Sequence, residues 1–139
     1  MKDYSLIIFD ADGTLTPFRD GELGPFSFTL LPGVKEKCAE LRHFGVTLAI
    51  ASNQGRRRPE EDIRAQMAWT AAQLGTVREM WVTLKAHQKP HPYMLLELIQ
   101  YYYLDAADVL FVGGQPTDEA AARAAGVDFA WAADFFKQP

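Results

Sequence analysis

Short apolar runs rich in Ile, Val, Leu and Phe alternate along the chain with amphipathic stretches that close on glycine. That alternation predicts a parallel α/β sheet. Tyr4 to Phe9 is apolar without period-two alternation, which suits a central strand covered on both faces. Gly33 to Phe44 carries Val34, Cys38 and Leu41 at helical spacing and stops at Gly45; Val46 to Ala51 then reads as a second strand. Pro59 suits the first turn of a helix with the stripe Ile63, Met67, Ala71 and Leu74, closed by Gly75. Met80 to Leu84 predicts a third strand, and Pro90 and Pro92 open a helix carrying Leu95, Leu98, Ile99 and Tyr102. Val109 to Val112 is a fourth strand, Thr117 to Ala125 a short Ala-rich helix ending at Gly126, and Phe129 to Trp131 a fifth strand. Leu15 to Leu31 is irregular, with Pro17, Gly21, Gly24 and Pro25 between Phe18, Phe26 and Phe28, and predicts a turn-rich loop or hairpin flap.

Composition narrows this to one compact domain. The chain has 139 residues, 48% hydrophobic and 23% charged, and a chain of this length buries roughly two-thirds of its unfolded surface without a disulfide or structural metal. Cys38 stands alone, so neither a disulfide framework nor a zinc cluster is available. Leu6 to Phe9 ends at Asp10, too short for a signal-peptide core or a membrane span, and a cytoplasmic protein without a membrane partner is expected. A net charge of −4 argues against non-specific coating of nucleic acid, though not against a local basic patch.

In open parallel sheets ligands bind beyond the carboxyl ends of the strands, where strand order reverses. Four polar clusters fall at such ends: Asp10-Ala11-Asp12-Gly13-Thr14, Ser52-Asn53-Gln54-Gly55, Gln88-Lys89-Pro90, and Gly113-Gly114-Gln115-Pro116-Thr117-Asp118. Each alone is compatible with a turn or a helix cap. Two acids two residues apart at the end of a buried strand would repel without an ion, which favours a catalytic pair over a turn. Ser52 offers a hydroxyl and Lys89 a compact positive charge to a phosphoryl group.

In order and in place, these clusters resemble the haloacid dehalogenase (HAD)-type phosphatase superfamily over nearly the whole chain. Phe9-Asp10-Ala11-Asp12-Gly13-Thr14-Leu15 is similar to its nucleophile motif, Ala51-Ser52-Asn53-Gln54 to its second and Lys89-Pro90 to its third. Leu31-Pro32-Gly33-Val34, and Met94 after Lys89-Pro90, resemble the branch (subfamily IIIA) that includes histidinol-phosphate, heptose-bisphosphate and polynucleotide 3′-phosphatases. The resemblance implies a single Rossmann-like domain: a five-stranded parallel sheet, helices on both faces and no cap domain. It implies a magnesium-dependent phosphomonoesterase in which Asp10 attacks phosphorus and Asp12 protonates the leaving oxygen, then activates water. Asp12 must then be protonated when substrate arrives, which neighbouring carboxylates favour. Gly13 lets the backbone approach the phosphate, Thr14 holds the carboxylates apart, and Asn53 either caps its loop or touches substrate.

The fourth motif departs from the pattern. The family carries Asp where this chain has Gly114, while the second acid survives as Asp118 beside Glu119. Three outcomes are open: Asp118 takes the Mg2+ directly or through water; Asp10 and the Asp12 carbonyl hold it weakly; or the site has become a non-catalytic binding domain. Arg56, Arg57 and Arg58 fall at the mouth of the site, where they hold further phosphate or a nucleic-acid backbone, or else are solvated charges neutralised by Glu60, Glu61 and Asp62. His87 and His91 have metal-like spacing, but Pro90 and Pro92 break the helix it needs, leaving substrate or solvent contact. Tyr101 to Tyr103 and Trp69, Trp81 and Trp131 read as packing residues. The substrate is a small phosphate ester or a polynucleotide end; the former fits if the flap or a second subunit closes the open site.

Overall fold

The computed structural model describes residues 2–18, 28–75 and 77–137. Five strands form one parallel sheet: β1 (Leu6–Phe9), β2 (Thr47–Asn53), β3 (Arg78–Val82), β4 (Val109–Gly113) and β5 (Asp128–Trp131). Their order is β3-β2-β1-β4-β5. The chain therefore winds outward from β1 to β3, then returns to the other side of β1. That reversal opens a crevice beyond the carboxyl ends of β1 and β4.

The helices are α1 (Val34–His43), α2 (Glu60–Gln73), α3 (Tyr93–Tyr101), α4 (Pro116–Ala125) and α5 (Ala132–Phe135). Successive β1 residues divide between two cores, as the pleat requires. Ile7 and Phe9 pack with Val34, Cys38, Ile63, Met67 and Phe135 of α1, α2 and α5. Leu6 and Ile8 pack with Met94, Leu95, Leu98, Ala121 and Ala122 of α3 and α4. All four β1 side chains are buried, each contributing about 1.5–3 kcal/mol by apolar burial. No cap domain is present among the described residues.

Several boundaries differ from the sequence expectation. β1 starts at Leu6, since Tyr4 turns its hydroxyl to Asp128. β3 runs over Arg78–Val82 instead of 80–84: its last rung is Asn53 with Val82, and Thr83 and Leu84 leave the sheet for a 3-10 turn at Lys85–His87. Pro59 precedes α2 instead of lying in its first turn, and Tyr102 follows α3. α5 was not anticipated. Of the irregular segment, residues 19–27 lie outside the described residues. No helix among the described residues is long and apolar enough to cross a membrane.

Candidate active site

Asp10 leaves β1 at the reversal point, its amide donating to the Val112 carbonyl at 2.9 Å. Opposite it, Lys89 is buried with its ammonium within 2.8 Å of Asp10 Oδ1, 2.7 Å of Asp118 Oδ1 and 3.0 Å of the Ala51 carbonyl. Three protons meet three acceptors, so this buried cation is fully partnered. Asp118 is also buried, and its Oδ2 accepts from the amides of Gly114 and Gln115, both at 3.0 Å. Asp118 thus anchors Lys89 with one oxygen and the loop before α4 with the other. A side chain at Gly113 would collide with Asp118.

One cation faces two buried carboxylates, and the pKa values follow. Burial pushes the Asp10 carboxyl up to about 6, with Asp118 adding to the rise and Lys89 opposing it. For Lys89, burial works against the charge, but Asp10 and Asp118 outweigh it and hold its pKa above the usual lysine value.

Asn53 settles which way Lys89 points. Its Oδ1 accepts the Lys89 amide at 2.9 Å and its Nδ2 donates to the Lys89 carbonyl at 3.1 Å. The Asn53 amide thus ties β2 to the Lys89 loop across 36 residues, a role beyond both readings of its own loop. Gln88 reinforces the tie by donating to the Gln54 carbonyl at 2.9 Å. Ser52 is buried beside it, and its hydroxyl accepts from Gln54 Nε2 at 2.9 Å. Neither glutamine was singled out in the sequence, where nothing marks an amide that bonds across loops.

Asp10, Asp12, Asn53, Lys89 and Asp118 line one cleft of about 170 Å³, together with Phe18, Gln115 and Thr117. A larger cavity of about 800 Å³ lies at the other end of the sheet, lined by residues that precede β1, β2 and β4, away from this chemistry. Gly13 sits in the left-handed region at φ 82° in the turn after Asp12, where only glycine is unstrained. Thr14 makes no hydrogen bond to either carboxylate. Its hydroxyl is buried without a partner, on the side of Gly114.

Arg56 lies outside the cleft lining; it is exposed and donates from Nε to the Thr83 carbonyl at 3.3 Å. Glu60, Glu61 and Asp62 open α2, where their charge complements the helix N-terminus. The histidines also serve local structure: His87 stacks on Tyr93 with ring centroids 3.9 Å apart, and His91 Nδ1 accepts the Tyr93 amide at 3.1 Å.

No cluster of three or more His, Cys, Asp or Glu side chains among the described residues is arranged to hold a metal. The cleft nonetheless offers hard oxygen donors in the Asp10 and Asp12 carboxylates. That set fits magnesium, which takes one or two carboxylates and keeps several waters.

The family model of haloacid dehalogenase-like hydrolases matches residues 22–132. The chain belongs to this family. It is similar in structure to D,D-heptose 1,7-bisphosphate phosphatase from B. bronchiseptica, solved with magnesium and phosphate, at 29% identity and a TM-score of 0.77 over 90% of this chain and 78% of that one. A HAD-superfamily hydrolase from Ehrlichia chaffeensis shares the fold at 17% identity and a TM-score of 0.69, over 94% and 87% of the two chains. No curated protein matches the chain.

Proposed function

We propose that this chain is a magnesium-dependent phosphomonoester hydrolase acting on small phosphate esters through an aspartyl-phosphate on Asp10. It is a phosphatase of the HAD family; the mechanism and substrate class are our reading. The observation that carries it is the buried Asp10–Lys89–Asp118 chain at the reversal point, with Asp12 two residues beyond the nucleophile.

In this reading the Asp10 carboxylate attacks phosphorus while Asp12 gives its proton to the departing alkoxide. Asp12 then takes a proton from water, and the resulting hydroxide displaces Asp10 and frees inorganic phosphate. Lys89 holds positive charge beside the attacking carboxylate, positioned through Asn53, Ala51 and Asp118. Ser52 lies outside the cleft lining, donating to the Asn53 carbonyl at 3.3 Å and accepting from Gln54; in this reading its hydroxyl proton turns from that carbonyl to a phosphoryl oxygen when substrate binds. Asp10 and the Asp12 carbonyl would hold magnesium, while the Asp118 oxygens stay on Lys89 and the Gly114 and Gln115 amides. When bound, the ion offsets charge on the phosphoryl oxygens.

Replacing Asp12 with Asn is expected to cut hydrolysis of an alkyl phosphate by about 10²-fold or more, and that of an activated aryl ester far less, because the better leaving group needs no proton. Equal losses on both esters would remove Asp12 from the acid role.

Gly114 supplies the test of the metal site. A Cβ there would meet nothing closer than the Gly13 carbonyl at 3.5 Å and Thr14 Oγ1 at 3.6 Å. Its backbone is also outside the left-handed region. An aspartate can therefore be accommodated without strain. Gly114→Asp is expected to tighten magnesium binding by about tenfold, read by calorimetric titration and by the magnesium-dependent rise in melting temperature, with phenyl phosphate turnover saturating at lower metal. A wild type with neither metal binding nor turnover, when Gly114→Asp gains both, would make the natural chain a binding domain.

A further inference from the structure

Phe18 is the one aromatic ring among the described residues lining the cleft, and it is 61% exposed. Its ring lies directly against Gly13, so closely that a methyl group at Gly13 would fall inside it. Gly13 follows Asp12 in the same tight turn, with its amide donating to the Thr16 carbonyl at 2.6 Å. The ring is therefore held in register with the residue proposed to protonate the leaving oxygen. Asp12 and Phe18 line the same cleft, which puts an aromatic ring beside the place where the leaving group takes its proton.

The charges around the cleft narrow what that can be. Lys89 is the sole cation among its described lining residues, and all three of its protons are committed to Asp10, Asp118 and Ala51. Arg56, the nearest basic residue after the second motif, is turned to the Thr83 carbonyl. Among the described residues, the rim beyond the reacting groups consists of Phe18 with the exposed polar residues Gln115 and Thr117. A second phosphate or a carboxylate on the substrate would meet three aspartates and, among the described lining residues, no free cation. A flat, uncharged group would gain a ring face on one side and neutral hydrogen-bonding partners on the other.

We propose that Phe18 is a specificity-determining residue that stacks on the leaving group, and that the favoured substrate is the phosphate ester of an uncharged aromatic or heteroaromatic alcohol. The proposal rests on the hydrolase reading for its term "leaving group". The stacking itself can be measured without any chemistry. Offset or edge-on ring pairs contribute about 0.5–1.5 kcal/mol beyond area burial, which corresponds to about 2- to 12-fold in affinity.

The experiment compares phenylphosphonate with methylphosphonate, neither of which can be hydrolysed, by calorimetric titration in the presence of magnesium. The wild type is expected to bind the phenyl compound about 2- to 12-fold more tightly. Phe18→Ala should bring the two affinities together, Phe18→Trp should keep the preference, and Phe18→Leu, which retains apolar bulk over Gly13, should lose most of it. Equal affinities in the wild type, or a preference that survives in both Phe18→Ala and Phe18→Leu, would overturn the proposal. Turnover of phenyl phosphate by the wild type, followed in parallel, reports on the hydrolase reading separately.

Discussion

Asp10→Asn is expected to abolish turnover, by at least about 10³-fold, and at the same time to make the protein more stable at neutral pH. An amide is a poor nucleophile at phosphorus and a poor magnesium ligand, which accounts for the first effect. The second comes from burial. The Asp10 carboxyl is raised from 3.8 to about 6, so the folded state binds its proton more tightly than the unfolded state does. Ionising it therefore costs stability, a cost that grows as pH rises from about 4 to about 6 and persists above that. Asparagine keeps the acceptor for Lys89 and removes the charge. The gain at pH 7 should be about 1–3 kcal/mol, and it should vanish near pH 4; urea denaturation at both pH values checks it. A variant less stable than the wild type at pH 7 would show that Lys89 more than offsets the burial of Asp10.

Lys89→Met should be the most damaging single change to the fold. It leaves Asp10 and Asp118 facing each other in the interior, where the wild type has one cation between them. Removing one partner from a buried ion pair costs about 3–5 kcal/mol, and here two carboxylates lose theirs. The variant should be weakest above pH 7 and recover as pH falls below 6, where Asp10 takes up a proton instead of a counter-ion. Adding Asp10→Asn to Lys89→Met should restore part of the loss, because one of the two opposed charges is gone. Denaturation of the single and double variants at pH 5 and pH 8 measures both expectations; a Lys89→Met protein as stable as the wild type at pH 8 would contradict the arrangement.

The sheet was legible in the sequence where burial is two-sided. β1 and β4 are uninterrupted apolar runs because both faces are covered. β3 is half-buried at the edge, so its apolar run continues past the last rung and gives no signal for where pairing stops. α5 has four residues, too few for a period, although its Phe135 packs on Phe9 with centroids 5.9 Å apart. At the site, Asp10, Asp12 and Lys89 could be placed because strand ends and motif spacing locate them. The contacts that orient them could not. Asn53 reaches the Lys89 backbone and Asp118 reaches Lys89 and the Gly114 amide only after the loops are brought together. Asp118 in particular was expected at a metal, and its oxygens instead meet an ammonium and two amides. Phe18 was one aromatic among several in an irregular segment, with no periodicity to show which of them faces the cleft.

The central claim is that Asp10 carries the phosphoryl group between the two half-reactions. The most direct test mixes the wild-type protein with magnesium and phenyl phosphate, quenches in acid within the first turnover, and maps the peptides by mass spectrometry at low pH. One added HPO3 on Asp10, absent from the Asp10→Asn protein and lost as inorganic phosphate appears, is the predicted result. Burst or steady hydrolysis with Asp10 unmodified throughout, or with the phosphoryl group on a different residue, would contradict it.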